Sequence, residues 1–125
     1  MIKKYKNIIF IAFALLVVVT SIGSILAAPS KTTVVLFHTN WQASCRKAIN
    51  FVPQAVNSYG GRVEYVELNI DAPDTPAKAR MYKLPIPRTV PYIYILNSDK
   101  EIINQRPYQG ESVQQLKQFL DPFIQ

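Results

Sequence analysis

Apolar residues along this chain fall into three kinds of pattern, and each predicts a different element. Residues 8 to 28 (IIFIAFALLVVVTSIGSILAA) form one block with 17 hydrophobic residues in 21 and no charge. A helix of that length spans about 31 Å, enough to cross the hydrocarbon of a bilayer. Short β-branched and aromatic runs at Thr32 to His38, Val63 to Ile70 and Tyr92 to Leu96 predict strands. Glu101 to Asn104 predicts the return arm of a hairpin turning at Asn97-Ser98-Asp99-Lys100. Behind Ser44, a candidate N-cap, Ala48, Ile49, Val52, Ala55, Val56 and Tyr59 recur at three- and four-residue spacing. Pro53 kinks the helix they predict, and Gly60-Gly61 ends it. Thr75 to Tyr82 predicts a short helix opened by Pro76. A last amphipathic helix follows Gln109-Gly110-Glu111 and turns Val113, Leu116, Phe119, Leu120 and Phe123 inward. The order β-α-β-α-β-β-α implies crossover connections between the first three strands and a central sheet covered on both faces.

Charge divides the chain at the same place as hydropathy. Lys3, Lys4 and Lys6 precede the apolar block, which holds the N-terminus on the cytoplasmic side and sends residues 29 to 125 across the membrane. A cleavable signal has a shorter apolar region, about 7 to 15 residues. Cleavage after Ala28 would also set Leu26 where a small side chain is preferred, with Pro29 directly after the cut. Residues 1 to 28 are therefore read as a signal-anchor transmembrane helix and residues 29 to 125 as one extracytoplasmic domain, with secretion after cleavage as the alternative. The membrane is a bacterial plasma membrane or a thylakoid; the pattern does not choose. Residues 29 to 125 hold eleven Lys and Arg against eight Asp and Glu, with no basic run, which excludes nucleic acid as a partner. A single Cys forms no internal disulfide, one His and one Cys make no zinc cluster, and no phosphate-cradling glycine loop is present. No metal and no cofactor is expected, and a domain of this size folds on its apolar core alone.

Three local signatures, in that element order, resemble the thioredoxin family. Trp41-Gln42-Ala43-Ser44-Cys45-Arg46 follows the first strand where a thioredoxin has Trp-Cys-Gly-Pro-Cys-Lys. Tyr59-Gly60-Gly61 and Leu68-Asn69-Ile70-Asp71 lie at the family's spacing from Cys45, and Thr89-Val90-Pro91 stands where the family has its cis-proline. Leu116 to Asp121 matches the family's final helix. The resemblance covers residues 32 to 124 and implies a thioredoxin-like α/β fold, a central mixed sheet with helices on both faces, without the family's extra first strand and helix. It also implies a groove for an extended peptide, rimmed by Trp41, Gln42, Val90, Pro91 and the loop at Tyr108.

Two departures from the family pattern bear on chemistry. The attacking Cys is replaced by Gln42, whose amide offers no nucleophile, so the dithiol cycle cannot run within one chain. The family's buried acid, which handles the proton of the second Cys, falls at Leu36. Cys45, matching the resolving Cys, has three readings: a packing residue, a mixed disulfide with a partner, or a monothiol catalyst. His38 reads as a satisfied structural histidine rather than a catalytic base. Tyr65, Tyr92 and Tyr94 read as half-buried sheet positions. The function these residues favour is a membrane-anchored binding or assembly module for a membrane-associated protein. Monothiol thiol-disulfide exchange through Cys45 and an accessory subunit of a membrane complex are the alternatives.

Overall fold

The computed structural model describes residues 31–124. Residues 1 to 28, expected to form a signal anchor, lie outside the described residues, and no helix among those described is long and apolar enough to cross a membrane. Strand β1 (Thr32–His38) runs parallel to β2 (Val63–Asn69), in register from Thr32 opposite Val63 to His38 opposite Asn69. Helix α1 (Ala43–Asn57) makes the crossover between them. Strand β3 (Tyr92–Leu96) lies antiparallel on the other side of β1, and β4 (Ile102–Pro107) pairs antiparallel with β3, giving the order β2-β1-β3-β4.

Alternation along β1 divides the interior in two. Val34 and Leu36 point into a core shared with α1 and α3 (Val113–Leu120), where Val52, Val56, Ile93, Ile95, Leu116 and Leu120 meet. Val35 and Phe37 point to the other face, against Leu68, Tyr94, Leu96 and Ala79 of α2 (Thr75–Met81). The four β1 side chains from Val34 to Phe37 are fully buried. At about 1.5–3 kcal/mol for each such side chain, this strand contributes more to stability than its length suggests.

Several sequence expectations are corrected. Only β1-α1-β2 is a parallel crossover; β3 runs antiparallel to its neighbours. The seven residues of α2 carry the chain about 10 Å, and the proline-containing stretch after it returns the chain to the end of the sheet it had just left. The N-cap of α1 is Gln42, not Ser44, which lies exposed in the first turn. Pro53 sits inside α1, which continues to Asn57. Ser58 and Tyr59 donate their N–H groups back to Ala55 and Val56, so the helix closes before the glycines. Gly60 then takes a left-handed φ of 65° and leads a single 3-10 turn, Gly60–Arg62, into β2. Strand β4 extends to Pro107 rather than ending at Asn104, with a bulge opposite Ile95 and Leu96. Helix α3 is opened by Ser112 and Gln115, each side chain bonding the other's backbone N–H.

Candidate functional site

Register brings the residues of interest to one end of the sheet. Phe37 of β1 lies opposite Tyr92 of β3, and Tyr92 lies opposite Pro107 of β4. The end of β1, the start of α1, the Val90–Pro91 bond and the loop after β4 therefore gather at one pole. The turn following β2 is tied there too, because Ile70 donates its N–H to the His38 carbonyl at 2.9 Å.

Helix α1 begins without a side-chain cap. Gln42 is extended, with φ −88° and ψ 134°, and its carbonyl accepts the Arg46 N–H at 3.3 Å while its side chain caps nothing. One turn in, Cys45 faces the sheet with none of its surface exposed. Its Sγ accepts from the Thr39 N–H at 3.4 Å and the Thr39 hydroxyl at 3.7 Å, and donates to Gln42 Oε1 at 3.8 Å. The thiol is thus both buried and hydrogen-bonded to Thr39 and Gln42. Leu36 is equally buried and part of the larger core. No acid stands at that position to move a proton for the sulfur.

Trp41, four residues earlier, has 68% of its surface exposed. Its indole N–H donates to Asp71 at 3.1 Å, and Asp71 is held by its own N–H bonding the Asn69 side chain at 3.0 Å. Across the pole, the Val90–Pro91 bond is cis, Pro91 is buried and Val90 is half-buried. The Pro91 carbonyl accepts the Tyr108 N–H at 2.9 Å, which fastens the loop after β4 to this segment. The Tyr108 side chain points into the core with 5% exposed, its hydroxyl donating to the Glu111 carbonyl at 2.6 Å. Whatever Tyr108 lends to the rim comes through its backbone. Burial, and then the charge of Glu111, raise its phenol above the ordinary range.

His38 does not meet the description of a satisfied histidine. It is 7% exposed, its Nδ1 has no hydrogen-bond partner, and its Nε2 lies 3.9 Å from Glu67. The other Glu67 oxygen, Oε1, accepts from the Tyr65 hydroxyl at 2.8 Å. Burial and that acceptor drive the Tyr65 phenol far above its usual value. His38 occupies the last position of β1, opposite Asn69 of the edge strand β2.

Two members of the site were not singled out from the sequence. Thr39 supplies both hydrogen bonds into the sulfur, and Asp71 fixes the indole. Thr39 reads in sequence as an ordinary turn residue, and only the fold aims its N–H at Cys45. Among the described residues no group of three His, Cys, Asp or Glu side chains is placed to hold a metal. A pocket of about 360 Å³ lies at the other end of the sheet, between Met81 to Lys83 and the β3–β4 hairpin, away from Cys45.

No protein-family model matches the sequence, and no curated protein matches it. Solved structures do match. One is thioredoxin-2 of the malaria parasite, a component of that organism's protein secretion machinery. It superposes with a TM-score of 0.59 over 76% of this chain and 85% of its own, at 17% identity. The fold is therefore thioredoxin-like, and identity this low carries the fold and nothing further.

Proposed function

We propose that the chain is a membrane-anchored, extracytoplasmic domain of thioredoxin fold that lacks dithiol exchange and serves as a protein-binding or assembly module. The observation that carries the reading is the contrast at the start of α1: Cys45 is wholly buried and hydrogen-bonded, while Trp41 is 68% exposed. Gln42 where the resemblance implies an attacking Cys, and Leu36 where it implies an acid, support the same conclusion. The apolar block 8 to 28 behind three lysines supports the anchor and its direction. With few residues between Ala28 and β1, the domain stays near the bilayer, so its partner is a membrane-associated protein or a complex of which it is an accessory subunit.

Affinity capture of the full chain from its native membrane tests this. The binding reading expects the same partner on wild type and Cys45→Ser, and its loss on Trp41→Ala. The second reading, monothiol exchange through Cys45, has one observation in its favour. Gln42 makes no capping bond, so a single 3.8 Å contact holds its side chain over the sulfur. That reading expects a reductant-sensitive adduct lost on Cys45→Ser. The anchor is tested by retention on membranes through high-salt and carbonate washing; a mature N-terminus at Pro29 contradicts it.

A further inference from the structure

We infer that the rim around Trp41 takes an acidic, extended segment of the partner, an inference that rests on the binding-module reading above. Three cations at this pole have no ion-pair partner among the described residues. Arg46 and Lys47 are exposed in the opening turns of α1. Lys47 reaches the loop after β4, its Nζ lying 3.8 Å from where a Cβ on Gly110 would stand. Arg88 is exposed two residues before Val90. Among the described residues none of these three is in an ion pair, whereas Lys78, Lys100 and Arg106 are neutralised by Asp74, Glu64 and Glu111.

The acids at the same pole are largely spoken for. Glu111 takes the Arg106 guanidinium and the Gln109 N–H, Asp71 takes the Trp41 indole, Asp74 pairs with Lys78, and Glu67 accepts from the Tyr65 hydroxyl. The first turn of α1 also has no acidic residue and no side-chain cap, so its N–H groups add partial positive charge in the same direction. An apolar indole and Val90 at a pole that also carries cations outside any ion pair suit an extended chain that alternates apolar residues with Glu or Asp.

Geometry favours a protein segment over lipid headgroups. The chain enters the domain at Lys31 and reaches the rim only after the seven residues of β1, about 20 Å of strand. An anchored domain therefore holds the rim on the side away from its point of attachment.

Trp41 is the only tryptophan in the chain, so its emission reports binding at the rim directly. The full chain in nanodiscs of zwitterionic lipid is titrated with capped peptides that share one alternating apolar pattern and carry Glu, Gln or Lys between. The Glu peptide should bind about tenfold tighter than the Gln peptide, the Lys peptide most weakly, and the differences should shrink as salt is raised. Arg46→Glu, Lys47→Glu and Arg88→Glu should each weaken the Glu peptide about two- to fivefold without changing the Gln peptide. Arg80→Glu, on exposed α2, should change neither. Equal binding of the Glu and Gln peptides overturns the acidic preference and leaves the binding module standing. No response to any peptide sinks both. A Trp41 shift with anionic phospholipid vesicles but not with the Glu peptide makes the partner a lipid surface and overturns the proposal.

Discussion

Trp41 and Cys45 are separated by four positions and differ in nearly every physical respect. One stands in solvent with its indole pinned to Asp71; the other is sealed beneath Gln42 and Thr39. They mark two lines through the same short segment. The inward line, Leu36, Thr39 and Cys45, is where the resemblance implies an acid and a resolving thiol. The outward line, Trp41, Arg46, Lys47 and Val90, is where the proposal places contact with a partner. The inward line has been filled with groups that gain from burial or from local hydrogen bonds, and filling it leaves the outward line intact. The proposed function separates chemistry from recognition because the two lines face opposite directions from one backbone.

The largest effect that breaks the comparison is a return of charge to the interior. Leu36→Asp should cost about 3 kcal/mol or more in urea unfolding, because the carboxylate finds only Val34, Ile93 and other core residues around it. Burial favours the neutral acid, so the deficit should shrink as pH is lowered. A loss below about 1 kcal/mol would mean that water or a polar partner reaches Leu36.

Reactivity separates the two lines next. Alkylation of Cys45 in the native chain should be slowed about a hundredfold relative to the unfolded chain, since reagent reaches the sulfur only when the first turn of α1 opens. Replacing Gln42 by Ala should recover part of that rate. Rapid native labelling would place Cys45 on the outward line and favour the monothiol reading.

Trp41→Ala is the complementary test. It should leave stability within about 0.5 kcal/mol and reduce partner affinity about tenfold. A large loss of stability with no loss of binding would show that the indole is structural.

The smallest effect concerns Tyr108, which sits at the rim but belongs to the interior. The phenols of Tyr108 and Tyr94 are raised chiefly by burial, whereas an unfolded chain loses tyrosine protons near pH 10. Above that pH the unfolded state binds fewer protons than the native state, so stability should fall as pH rises. Tyr108→Phe should flatten the decline, measured as denaturation midpoint against pH.

Much of the architecture was legible because two periodicities carry it. The limits of β1 and β3 match their observed limits, and those of β2 and α2 fall within a residue. The direction of β3 was not legible, since nothing in a proline-rich stretch tells which way the chain leaves it. Nor was the true N-cap: Ser44 has the preferred side chain, yet the N-cap is Gln42, whose extended backbone offers its carbonyl to the Arg46 N–H. The unpartnered Nδ1 of His38 and the inward turn of Tyr108 depend on which side chains the sheet edge and the extended β4 bring near. Gln42, Leu36 and the exposed Trp41 were readable as a pattern, but their opposite burial was not.

Turnover of a protein disulfide by the full chain, compared with Cys45→Ser, tests the separation of chemistry from recognition most directly. A sealed thiol without an attacking partner predicts a rate no greater than a free-thiol background and unchanged by the substitution. Gln42→Cys should then form a disulfide with Cys45 and restore a weak rate. A rate in the unmodified chain that disappears on Cys45→Ser would show that the inward line still does chemistry.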